Sequence, residues 1–167
     1  MKLDLRRATL GDADQVADVY LRSRKELVAV APLAHADAEV RDWIRQRLIP
    51  AGRTTVAVAD GQVVGLMAVS AATDCSWITH LYLHPAWIGR GIGTRLLELA
   101  RRELPPPIRL FTFQANERAR MFYERRGFKA VSFSDGSANE EKCPDVLYEW
   151  RPADAVANPS ASPRRPA

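Results

Sequence analysis

Three glycines at alternate positions, Gly89, Gly91 and Gly93, follow the apolar run Leu81-Tyr82-Leu83 and a Pro-broken turn at His84-Pro85. Glycines this close together let a backbone approach a ligand without side-chain obstruction. The residues that follow carry a helical pattern. A helix opening in such a loop points its unpaired N–H groups and positive dipole end into it. That is the chemistry of an anion cradle, most naturally for a phosphate or pyrophosphate. Two common phosphate motifs do not fit. The dinucleotide pattern Gly-x-Gly-x-x-Gly meets Thr94 or Leu96 where its last glycine should stand, and the P-loop requires a Lys where this chain has Thr94.

A second constellation runs from Asn116 to Phe128. Asn116 is a candidate N-cap, and Glu117 in the first turn suits the helix dipole. Ala119, Phe122 and Tyr123 recur at helical spacing and form one apolar face, and Gly127 ends the segment. Tyr123 taken alone reads best as a core aromatic with a hydrogen-bonded hydroxyl.

Together the two blocks resemble the GNAT superfamily of N-acetyltransferases. The family pattern Gln/Arg-x-x-Gly-x-Gly/Ala falls on Ile88, Gly91 and Gly93, with Ile88 replacing the Gln or Arg. The pattern Asn-x-x-Ala-x-x-Phe-Tyr-x-x-x-Gly-Phe matches residues 116–128 at every position. The resemblance implies an α/β (α+β) domain over residues 1–151, with a mixed central sheet of about seven strands, a splayed central pair and about four flanking helices. It implies acetyl-CoA as acyl donor and no metal. The phosphates would lie on Gly89, Arg90, Gly91, Ile92, Gly93 and Thr94, and the pantetheine arm along Leu81, Tyr82, Leu83 and Asn116. Tyr123 would be the general acid that protonates the departing thiolate, a role open to a hydroxyl of ordinary pKa about 10. A backbone N–H near Leu81 would polarise the thioester carbonyl. The backbone cradle survives the change at Ile88; a side-chain contact is lost, or is supplied by Arg90 or Arg95. The implied reaction is direct attack of a primary amine, small-molecule or peptide, in a ternary complex. The alternative is a non-catalytic acyl-CoA-binding or sensor domain on the same fold.

An attacking amine must be neutral, so a base is needed. The positions that match the bases of relatives are Trp77, Thr79 and Phe111, and none can take a proton. His80 has a suitable pKa as a base, but strand alternation turns it away from the face of Trp77 and Thr79. A His packed beneath a helix is the competing reading. The loop from 134 to 145 carries Asp135, Glu140, Glu141 and Asp145. In this fold it borders the acceptor side, where its carboxylates could attract an amine cation, with Glu141 the candidate base or substrate contact; a solvated hairpin loop is the other reading. Trp43 and the segment near His35 are expected to form the opposite wall.

The elements that must position these groups follow from periodicity and punctuation. A strand is expected at about 3–8, helices at about 13–29 (capped by Asp12) and 36–48, and strands at 54–59 and 62–71 joined by Asp60-Gly61. A strand at 76–83, a helix at 91–103, a strand at 108–113, the second-block helix, and strands at 129–133 and 145–150 complete the order. Residues 152–167, rich in Pro, Ala and Ser, read as a disordered tail. The 167 residues, 47% hydrophobic, are enough for one domain with a core. Cys75 and Cys143 make no disulfide framework or zinc spacing, no membrane span or signal peptide is legible, and a cytoplasmic protein is expected. The net charge of +4 is spread over residues such as Arg6, Arg24, Arg41, Arg101 and Arg126, which read as solvated helix faces. No nucleic-acid motif accompanies them, so nucleic acid is not an expected partner. Many relatives are dimers, so a homodimer is compatible with the resemblance.

Overall fold

The computed structural model describes residues 1–153; the expected tail lies, apart from its first two residues, outside the described residues. Seven strands form one sheet: β1 (Leu3–Arg7), β2 (Thr54–Ala59), β3 (Gln62–Ala71), β4 (Ser76–Leu83), β5 (Ile108–Phe113), β6 (Lys129–Ser134) and β7 (Asp145–Trp150). Their spatial order is β1-β2-β3-β4-β5-β7-β6. All neighbours are antiparallel except β4 and β5. The β2–β3 turn has positive φ at both Asp60 and Gly61, the geometry that a two-residue hairpin needs to match strand twist.

Helices α1 (Ala13–Lys25) and α2 (Asp37–Trp43) cover one face, and α3 (Ile92–Glu103) and α4 (Glu117–Glu124) the other. Val16, Ala17, Val19 and Leu21 of α1 pack with Val40, Ile44, Val56 and Leu66. Ile92, Leu96, Leu97 and Ala100 of α3 pack with Met67, Ile78, Leu110, Tyr123 and Tyr148. Burial of these side chains is the main stabilising term, at roughly 1.5–3 kcal/mol each for the larger ones.

Four expectations need correction. The first helix stops at Lys25 rather than 29, and Leu27 to Ala31 are held in turns; Val28 and Val30 are exposed and β-branched, so neither packing nor propensity extends the helix. Asp12 does not cap α1. Its carboxylate accepts from the Thr9 N–H and hydroxyl and takes both arms of the Arg6 guanidinium at 2.8 Å. The second helix is α-helical only to Trp43 and widens into a π-type turn over Ile44–Leu48. Arg24 is not on a solvated face but fully buried.

The feature that shapes the site is the join of β4 to β5. Only Ser76 with Ile108 and Trp77 with Arg109 pair; beyond them the strands part. The β4 edge from Ile78 to Leu83 is left without a strand partner on that side, and the sheet carries a V-shaped gap at its centre.

Candidate active site

The glycine loop opens α3 at one end of this gap. Gly91 is the N-cap, in a left-handed conformation at φ 78°, and no side chain caps the first turn. The first N–H groups of α3 are therefore left to an external acceptor. A Cβ on Gly93 would lie 3.0 Å from the Phe122 ring, so α3 and α4 approach closely only because that side chain is missing. Arg90 does not reach into the cradle; its guanidinium lies over the Trp87 ring at 4.6 Å. Arg95 is exposed. The cation at the cradle is Arg126, which donates to the Thr94 hydroxyl at 2.9 and 2.6 Å and stacks on Phe122 at 4.0 Å. Arg126 stands in the turn just after α4, and its position along the chain gave no hint of this, because the partner lies in α3.

Asn116 caps α4, its side-chain oxygen accepting from the Ala119 N–H at 3.1 Å. That bond holds the helix start beside the gap. Tyr123 is buried among Phe122, Phe128 and Tyr148. Its hydroxyl has no hydrogen-bond partner among the described residues, and burial pushes its pKa well above the ordinary tyrosine value.

On the α1–α2 side the gap opens into a cavity of about 740 Å³. Trp77, His80 and Tyr82 of β4, Phe111 and Phe113 of β5, and Tyr20 and Trp43 of the helices line it. His80 is here, on the same face as Trp77, contrary to simple alternation. The β3–β4 register slips between Ala68 and Val69, which pair with His80 and Ile78 and leave Thr79 as the extra residue of a bulge. Alternation restarts after the bulge, so Ile78, Leu81 and Leu83 face α3 while His80 and Tyr82 face α1. The His80 ring packs against Trp43 at 5.2 Å and Tyr20 at 5.9 Å. Its Nδ1 is buried without a partner among the described residues. Burial, with help from Arg24, lowers its pKa to about 4. It is neutral at pH 7 and a weak base, which departs from the ordinary His on which its candidacy rested.

The acidic loop is internally hydrogen-bonded, with Asp135 and Glu140 exposed on it. Asp135 caps its own turn by accepting from the Ser137 N–H. Gly136, at positive φ, sits so close to Cys143 that any Cβ would collide with backbone. Asn139 is buried and zips the loop, bonding the Cys143 carbonyl and N–H and the Asp145 carboxylate. Asp145 is buried and also accepts from the Ser134 hydroxyl. Glu140 and Glu141 then line the cavity. Glu140 meets His35 Nε2 at 3.2 Å, and Glu141 meets Arg24 at 3.3 Å. Trp43 and His35 line the same cavity, and His35 contacts the loop directly. Glu141 does not stand free as a base: it is the counter-ion of Arg24, whose other terminal nitrogen, Nη1, has no partner among the described residues. The spacing of Val16, Ala17, Tyr20, Leu21 and Arg24 along one helix face was the signal that this arginine turns inward.

Among the described residues no group of three His, Cys, Asp or Glu side chains could hold a metal, and no helix is long and apolar enough to cross a membrane.

Comparison with known proteins converges on one family. Residues 17–128 match the family model described as the acetyltransferase (GNAT) family. No curated protein sequence gives a significant match. Solved structures with the same fold include apo YjaB from Escherichia coli, 24% identical with a TM-score of 0.71, over 89% of this chain and 97% of that one. The PaiA N-acetyltransferase of Thermoplasma acidophilum, solved with coenzyme A, is 22% identical with a TM-score of 0.69, over 89% and 98%. A GNAT-family acetyltransferase from Bacillus cereus is 18% identical with a TM-score of 0.71, over 90% and 98%.

Proposed function

The chain belongs to the GNAT acetyltransferase family, and from that premise we propose that it moves an acetyl group from acetyl-CoA to a primary amine by direct attack in a ternary complex. The observation that carries the reading is the continuity of three parts. A helix N-terminus without a side-chain cap lies at one end of a strand gap, the buried side chain of Tyr123 lies beside it, and a cavity opens on the far face. The residues fit the donor. The α3 N–H groups and Arg126 suit phosphates, with Arg126 supplying the charge that Ile88 gives up. The unpaired β4 edge from Leu81 to Leu83 suits the amides of a pantetheine arm, beside Asn116. A β4 N–H facing the gap would polarise the thioester carbonyl.

Tyr123 donates to the departing sulfur as general acid. Its raised pKa keeps it protonated at every working pH, and the proton that the amine loses replaces the one it gives. In proton removal the exposed Glu140 carboxylate, which lines the cavity, acts as a relay through water, while Glu141 stays with Arg24. The two free cysteines are what a reducing cytoplasm would leave.

A second reading, a non-catalytic acyl-CoA sensor, draws on the aromatic residues at Trp77 and Phe111 and on the pairing of both loop glutamates. A thiol-release assay with acetyl-CoA and a panel of amines, on the wild type and Tyr123→Phe, decides between them. Turnover that falls about 100-fold in the variant while CoA binding holds supports the transferase. CoA binding with no amine ever acetylated supports the sensor.

A further inference from the structure

We propose that the acceptor is a small primary amine carried on a flat aromatic body, an arylalkylamine, and not a polyamine or a polypeptide amine. This rests on the acetyl-transfer reading and names the substrate class of the same cavity.

The first observation is the shape of the floor. Trp77 and Phe111, from the two strands that part, stack nearly parallel at 5.5 Å and 9°. Trp77 is buried and Phe111 half-buried, and both line the cavity next to the point where β4 and β5 part. Trp43 and Tyr20 line it too, themselves in edge contact at 6.0 Å. An aromatic acceptor entering this lining meets the rings of Tyr20, Trp43 and Phe111, whereas a flexible aliphatic chain would lose more rotamer freedom for less contact.

The second observation is charge. Glu39, Glu140, Glu141 and Asp145 line the cavity, and no Lys or Arg does. Arg24, bonded to Glu141 through Nη2 alone, offsets that carboxylate, and Glu39 and Glu140 keep the lining negative. An ammonium group is drawn to this lining by the carboxylates and by the faces of the surrounding rings. His80 also lines the cavity, and its Nδ1 is buried without a partner among the described residues.

The third observation is closure. Two ties run from the α1–α2 side to the β6–β7 loop: Arg24 to Glu141 in the interior, and His35 to Glu140 at the surface. The loop itself is pinned by Asn139 and Asp145. These ties hold the helices to the loop on either side of the cavity, which disfavours a peptide or a long polyamine.

The test pairs binding with turnover. Binding of 2-phenylethylamine is followed by tryptophan fluorescence in the Trp87→Phe/Trp150→Phe variant, which leaves Trp43 and Trp77 as the reporters, with and without CoA. Turnover is followed by thiol release from acetyl-CoA with 2-phenylethylamine, spermidine and a short peptide with a free N-terminus. We expect saturable quenching by 2-phenylethylamine and a kcat/KM for it at least about tenfold above the other two. We expect Trp43→Leu to raise its KM about tenfold with the KM for acetyl-CoA unchanged. Preference for spermidine or the peptide overturns the inference and leaves the acetyltransferase standing. Absence of quenching with CoA bound also overturns it. Failure of the wild type to bind CoA by calorimetry overturns the acetyltransferase reading instead, and the fluorescence titration still reports on the pocket.

Discussion

Replacing Glu141 with Gln separates a counter-ion from a base. Arg24 is fully buried and Glu141 is its carboxylate partner at 3.3 Å, with Glu141 itself 23% exposed. Removing one member of a fully buried pair costs about 3–5 kcal/mol, because a charge is left without compensation. Here the carboxylate is partly solvated, and the Arg24 guanidinium keeps its stacking over Phe113 at 5.0 Å. The expected loss is therefore about 2 kcal/mol, which for a domain of this size lowers Tm by about 4–8 °C. Arg24→Met should cost less, since the freed Glu141 can turn to water. The double variant should recover part of the loss, with a coupling of about 1–2 kcal/mol in a urea-denaturation cycle. If Glu141→Gln leaves stability within about 0.5 kcal/mol of wild type while kcat collapses, the carboxylate works as a base and the counter-ion reasoning is refuted.

Gly93→Ala forces a Cβ to within 3.0 Å of Phe122; it should cost about 1–3 kcal/mol and weaken CoA binding by calorimetry, and unchanged affinity would mean that the α3–α4 contact yields freely. Arg126→Gln should weaken CoA binding about tenfold and leave S-acetyl-pantetheine, which has no phosphate, unaffected; equal losses on both ligands would remove Arg126 from the phosphate site. His80, with its pKa lowered from 6.5 to about 4, binds its proton more readily in the unfolded chain than in the native one. Its contribution to stability is full above pH 6.5 and is lost as pH falls towards 4, a cost growing to about 3 kcal/mol. His80→Phe should flatten the urea-stability profile across that window, and an imidazole resonance titrating at the ordinary value would contradict the burial argument.

Most strands and helices were legible because their signals are local. Asp60-Gly61 demands a tight hairpin turn whatever surrounds it, Gly91 accepts a left-handed N-cap, and Asn116 caps the helix that its own sequence begins. The glycine cradle and the apolar face carrying Tyr123 were read from spacing alone, for the same reason: both are repeats along a single segment. The pairings that shape the cleft were not local. The extra residue at Thr79 is defined only against β3, and without it His80 is assigned to the wrong face. Arg24 and Glu141 lie 117 residues apart, and Arg126 and Thr94 lie 32 apart, so no window along the chain contains either pair. The sequence by itself determined which segments could form a cradle, a cap and an acidic loop, because backbone conformation and helix termini depend on near neighbours. Which charges stand free, which are neutralised, and which side of β4 faces the acceptor cavity were decided by tertiary structure, because burial and electrostatic pairing depend on distance in space and not along the chain.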